Sequence, residues 1–234
     1  MVARPVSGPA PTEMRIDIWS DVMCPWCIIG WKRLEQALAT LDGEIAAEVR
    51  WLPFELNPDM AAQGEERTSH LARKYGRTPE DAAKMGAHMS RQAADAGFSF
   101  DYAGEGEAPP AMMWNTFEAH KLLRWTLAEH GSDAQMRLKL ALFTAHFQHR
   151  RRIGERDVLL DIAEEEGLDR DAAAAALDDE TVAHIVRMEE RQAMDNNITG
   201  VPAVVVDGKF LIPGAQEPDV YVNALRRIAS KVKT

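Results

Sequence analysis

Cysteine is scarce in this chain: only two occur among 234 residues, Cys24 and Cys27, three positions apart. That excludes the dispersed, even-numbered cysteine set that staples small secreted domains. Positive charge is also in deficit. Lys and Arg total 27 against 37 Asp and Glu, a formal charge of −10, which repels phosphate backbones and anionic membranes and argues against a nucleic-acid partner. The one basic run, Arg150-Arg151-Arg152, reads as a solvated helix end. No uninterrupted apolar stretch approaches the roughly 18 residues of a membrane-spanning helix. Met1 to Thr12 carries Pro5, Gly8, Pro9 and Pro11 and holds no apolar run to form the core of a signal peptide. The expectation is a cytoplasmic protein without membrane or nucleic-acid partners. No internal repeat is present. What remains, 46% apolar and 27% charged residues, is ordinary globular usage, and the length suffices to bury a full core.

Periodicity divides the chain into two unlike parts. Arg15 to Ser20 alternates apolar and polar as one strand, Ile28, Trp31, Leu34, Leu38 and Leu41 recur at helical spacing, and Ala47 to Leu52 alternates again. This is a βαβ unit with both cysteines at its strand-to-helix turn, where chemistry usually sits. From Pro58 onward helical patterns follow one another. Thr78-Pro79-Glu80-Asp81 offers a cap, a proline at the first helical position and first-turn acids. Further helices are expected at about 115–131, 133–149, 156–166 and 171–177, while Phe98, Phe100 and Tyr102 suggest a short crossing strand. Near the C-terminus, Asp207-Gly208 between two apolar runs is a strong hairpin signal, and a last amphipathic helix spans about 218–231. The sheet is therefore split in sequence, with residues 14–57 and 180–232 forming one domain. Residues 58–179 are too many for a simple connection and read as an inserted helical subdomain. Residues 1–13 are expected to be disordered.

Cys24 falls at the N-cap of the first helix, with Pro25 at the first helical position and Cys27 at the third. Backbone N–H groups and the helix dipole would favour a thiolate there, so Cys24 is expected to have a lowered pKa and to attack, with the more shielded Cys27 resolving. The alternatives are inert buried thiols or half of a zinc site. Zinc needs two more ligands, and only His146 and His149 suggest themselves by spacing; no metal is expected. A second element, Thr199-Gly200-Val201-Pro202, precedes a strand, where proline is tolerated because it has no ladder N–H to lose. Sequence alone leaves both isomers of that proline open.

Four segments carry a resemblance: Ser20-Asp21-Val22-Met23-Cys24-Pro25-Trp26-Cys27, Pro53 to Pro58, Asn115-Thr116 with Ala119-His120, and Gly200-Val201-Pro202. Together they resemble the DsbA family of thiol-disulfide oxidoreductases, in its FrnE-like cytosolic branch. The resemblance implies an α/β thioredoxin fold with a large all-helical insertion, catalytic Cys24 and Cys27, and a cis Pro202 facing them. Pro25, Trp26, Val201 and Pro202 are then the substrate-binding residues. The substrates implied are proteins or small thiols, with no cofactor beyond the cysteine pair and with glutathione as a possible co-substrate.

Two departures qualify the comparison: the lack of a signal segment, which removes the oxidising compartment, and the dipeptide between the cysteines. Periplasmic DsbA oxidases have histidine where this chain has Trp26, and tryptophan supplies no positive charge to stabilise the thiolate, so a weaker oxidant with reductase or isomerase activity is expected. The competing reading is a glutathione-dependent isomerase or transferase, similar to the kappa-class glutathione transferases and hydroxychromene-carboxylate isomerases. Those typically present serine at the position of Cys24. The Met112-Met113-Trp114 stripe is read as core rather than pocket, and His120 as structural.

Overall fold

The computed structural model describes residues 10–232, so of residues 1–13, expected to be disordered, 1–9 lie outside the described residues, while Thr12 and Glu13 are ordered, held by strand pairing. Thr12–Ser20 (β1), Pro25–Thr40 (α1) and Ile45–Pro53 (β2) form the expected unit, with β1 parallel to β2. The strand starts earlier than its alternation suggests: Thr12 and Glu13 already pair with Ile45 and Ala46. Glu65–Glu66 (β3) and Met112–Met113 (β4) make a two-residue ladder inside the helical stretch, where no strand is legible in sequence. Phe98, Phe100 and Tyr102 form no strand. The first two instead meet edge to face at 5.6 Å and close on Phe147, so their alternation serves aromatic packing.

Arg67–Tyr75 (α2), Pro79–Asp95 (α3), Phe117–Phe147 (α4), Arg156–Glu165 (α5), Arg170–Asp178 (α6) and Glu180–Asp195 (α7) follow. The anticipated Thr78–Asp81 capping box is present. The long α4 is two limbs meeting at Gly131, whose φ of 82° no other residue type adopts easily, so the two helices read from sequence are both there. Ala203–Val206 (β5) and Phe210–Pro213 (β6) flank the three residues Asp207, Gly208 and Lys209; Asp207 and Gly208, both at positive φ, are the central residues of a turn closed by Lys209 N donating to Val206 O at 3.0 Å. Pro218–Val232 (α8) closes the chain. The sheet order is β2-β1-β5-β6, with β5 antiparallel to β1. Among the described residues no helix is long and apolar enough to cross a membrane.

The helical stretch shares its core with the sheet. Phe143 of α4 is fully buried and meets Trp51 of β2 edge-on at 6.0 Å, and Trp51 in turn meets Trp31 of α1 at 5.6 Å. Strand β2 is a sheet edge, and the buried Gln135 amide serves its backbone: Oε1 accepts from Trp51 N at 2.8 Å and Nε2 donates to Trp51 O at 2.9 Å. A second core, around Leu122, Leu138, Leu142 and Leu159, joins α4 to α5 and α6 and reaches Val22 and Met23 beside the cysteines.

Candidate active site

The chain leaves β1, turns at Asp21, and enters α1 at Cys24. Cys24 N donates to Asp21 O at 3.1 Å, Met23 N donates to Asp21 Oδ1 at 3.2 Å, and Cys27 N donates to Cys24 O at 3.1 Å. Opposite, the Val201–Pro202 peptide is cis, and the Cys24 thiol donates to Val201 O at 3.7 Å. The Pro202 carbonyl accepts from Gly214 N at 2.8 Å, while the buried Arg33 guanidinium donates to Ala215 O at 3.1 Å. Helix α1 passes so near this loop that a Cβ on Gly30 would lie 3.0 Å from Pro202 Cγ and 3.3 Å from the Ala215 backbone. Cys24, Cys27, Val201 and Pro202 are thus brought together. Pro25 and Trp26 are half-buried at their edge, Trp26 leaning on His88 of α3 at 6.2 Å.

The electrostatics overturn one expectation. Cys24 occupies the N-cap position, but its side chain accepts no cap hydrogen bond, and at 3% exposure it is nearly as buried as Cys27 at 0%. Hydrogen bonding to the Cys27 thiol, then burial, then the negative charge of Cys27 and Asp21 hold its pKa well above the ordinary thiol range. The helix start alone does not make a thiolate here, because two cysteines and a carboxylate are buried close together.

Asp21 is the hub of that pocket. Its Oδ2 accepts from Leu56 N at 2.8 Å, which ties the second motif segment to the first. From the third segment, Asn115 Nδ2 donates to Met60 O at 3.2 Å, and His120 Nε2 stands 3.9 Å from Asp21 Oδ1 without a hydrogen-bond partner. Burial raises the Asp21 pKa against those backbone donors and the positive Lys139. Burial, reinforced by Lys139, pushes His120 well below its ordinary range, so it is neutral. Lys139 itself is fully buried on α4 and pushed down to about 8 by desolvation, against the favourable charge of Cys27, Asp21 and Cys24. Glu55, beside Asp21, is raised to about 7 by burial and by Glu190, although Arg187 bridges both acids.

A cavity of about 770 Å³ opens next to Met23 and Pro25, between α2, α3 and the end of α4. Met112 and Met113 line it half-buried, and Trp114, which also borders it, is core, so the stripe is partly pocket. His146 lies on its wall at a pKa of about 4, lowered by burial and then by Arg67. The basic run is not a helix end but part of the connection between α4 and α5: Arg150 reaches the Pro109 carbonyl, and Arg151 and Arg152 pair with Glu165 and Glu155 at 2.7 and 2.8 Å.

Sequence reading missed the central place of Asp21, the close approach at Gly30, and Lys139. A signal for Lys139 existed: it recurs at helical spacing with Gln135, Leu142 and Phe143 on one stripe.

Fold and site together define a thioredoxin-fold protein whose Cys-x-x-Cys pair faces a proline loop. The chain belongs to the family of the DSBA-like thioredoxin domain, whose model matches residues 15–226. It is similar to the probable DsbA oxidoreductase SCO1869 of Streptomyces coelicolor, at 32% identity and a TM-score of 0.82, over 94% of this chain and 92% of that one. The uncharacterized protein YwbO of Bacillus subtilis (strain 168) is 27% identical over 91% of this chain and 96% of its own length. The cytosolic disulfide reductase DsbM of Pseudomonas aeruginosa, solved with GSH, shares the fold at 20% identity and a TM-score of 0.60, over 94% of this chain and all of that one.

Proposed function

We propose that the protein exchanges disulfides with protein or small-thiol substrates through Cys24 and Cys27, as a member of the FrnE-like branch acting in the cytoplasm. The observation that carries this is the pairing of Cys24 Sγ with Val201 O at 3.7 Å, with Pro202 beside it and Cys27 one turn below. In the reducing direction, the Cys24 thiolate attacks a substrate disulfide, whose S–S bond breaks as the electron pair leaves on the first substrate sulfur. Cys27 then loses its proton and attacks the Cys24 sulfur, the second substrate thiolate departs, and the dithiol has become a disulfide. The Val201 backbone and the flanking Pro25 and Trp26 are the surface against which the substrate lies. Glutathione suits the site as co-substrate, and nothing beyond the cysteine pair is needed as cofactor. The absence of a positive charge at Trp26 supports a weak oxidant that works as reductase or isomerase.

The cavity beside Pro25 favours a second reading, a glutathione-dependent isomerase or transferase acting on a small apolar molecule. Insulin reduction by wild type and Cys24→Ser separates the two. Turnover that Cys24→Ser abolishes supports dithiol exchange. Full turnover in that variant contradicts it.

A further inference from the structure

The cavity beside Pro25 has a composition unlike the rest of the chain. Five of the eleven methionines, Met23, Met85, Met89, Met112 and Met113, line it, an unbranched and polarizable wall that reshapes around an apolar guest. Its formal charge is of one sign. The chain carries a net charge of −10, yet no Asp or Glu lines the cavity among the described residues, whereas Arg67, Arg77 and Arg150 do. Arg67 and Arg77 are exposed and Arg150 is half-buried, so the positive charge stands at the mouth. None of the three makes an ion pair among the described residues, and Arg150 opposes the charge on Arg67. The fold fixes both positions. Arg67 N continues the β3–β4 ladder by donating to Ala111 O at 2.8 Å, and Arg150 is held by the Pro109 carbonyl and stands 5.9 Å over the Tyr102 ring.

Gly86 is an independent sign that this space is kept open. It lies inside α3, where glycine weakens a helix, and a Cβ on it would meet nothing within 4 Å, so no packed neighbour demands its absence. It borders the cavity, and a larger side chain there would take up the cavity's room. We propose that the cavity binds an apolar organic acid, its hydrocarbon body among the methionines and its carboxylate at the arginine mouth. A volume of about 770 Å³ suits a molecule of that kind, and guanidinium groups match a carboxylate with paired parallel hydrogen bonds. The site is independent of the dithiol chemistry proposed above. Pro25, bonded to Cys24, borders it, so a bound acid lies beside the reacting pair.

The test is isothermal titration calorimetry with decanoate and with decyltrimethylammonium, a cation of equal tail, below their micelle concentrations and at about pH 8, where a carboxylate is fully ionised. Wild type is expected to bind decanoate at least roughly tenfold more tightly than the cation, the reverse of what bulk attraction to a chain of charge −10 would give. Arg67→Gln combined with Arg150→Gln is expected to weaken decanoate roughly tenfold and to leave the cation unweakened. Gly86→Leu, which strengthens the helix and fills the space, is expected to weaken decanoate roughly tenfold or more. If the double variant lacks the wild-type circular dichroism, Gly86→Leu alone decides. No decanoate binding, equal binding of the two probes, or decanoate binding that either change leaves untouched overturns the inference. So does a concentration-dependent dimer in sedimentation that excludes decanoate, since a second copy then covers the mouth. Insulin reduction by the same wild type is read separately: its failure overturns dithiol exchange and leaves the acid site standing.

Discussion

Glu55 offers the sharpest quantitative expectation. Its carboxyl is buried beside Asp21, its Oε1 has no hydrogen-bond partner among the described residues, and its pKa is raised from 4.5 to about 7 despite Arg187. A carboxyl that is harder to ionise in the folded chain makes the folded state hold a proton that the unfolded chain has released. Stability from this group is therefore complete below about pH 4.5, falls between about 4.5 and 7, and is flat above. At about 1.4 kcal/mol per tenfold in proton affinity the loss is about 3 kcal/mol. The charge of Glu190 is one cause of the shift and Arg187 opposes it, so removing the Glu55 carboxylate recovers about 2 to 3 kcal/mol. Glu55→Gln keeps the shape, removes the ionisation, and adds an amide donor. The difference between variant and wild type in urea denaturation, followed by tryptophan fluorescence, is expected to grow from near zero at about pH 4.5 to about 2–3 kcal/mol in favour of the variant at about pH 8. A difference that is constant with pH, or that grows toward acid, refutes the reasoning.

Two further outcomes follow from the geometry. Gly30→Ala gains about 1 kcal/mol of helix propensity but drives a methyl into the Pro202 ring and the Ala215 backbone, neither of which can move aside cheaply. A net loss of about 1–2 kcal/mol on urea denaturation is expected, and unchanged or increased stability contradicts the close contact. Cys27→Ser keeps the attacking sulfur and removes the resolving one, so incubation with glutathione disulfide should leave a mixed disulfide on Cys24, visible as a mass increase that Cys24→Ser lacks. Failure of Cys27→Ser to hold glutathione would reverse the roles given to the two sulfurs.

The sheet and most helices were legible because their signals are local. Alternation marks β1 and β2, Asp207-Gly208 marks the hairpin, and Thr78 with Asp81 marks the start of α3. Phe98 to Tyr102 misled because alternation within five residues says nothing of whether a neighbouring strand exists to pair with, and here Phe147 takes that place. The β3–β4 ladder is too short to have a period. The cysteine pair and Pro202 were legible as residue types in context, but the acidity of Cys24 was not. A helix start predicts a lowered pKa, and the outcome depends on Asp21, Cys27 and burial, which only the fold brings to one place. For the same reason Lys139, 112 positions beyond Cys27, reads in sequence as one more lysine on a helix.

The most direct measurement is a redox titration of the purified protein against reduced and oxidised glutathione, with the Cys24–Cys27 disulfide followed by mass spectrometry and tryptophan fluorescence. The account predicts a single two-electron transition between dithiol and disulfide, at a potential more negative than the roughly −120 mV of a strongly oxidising DsbA. No disulfide at any glutathione ratio, or a potential as oxidising as that figure, contradicts it.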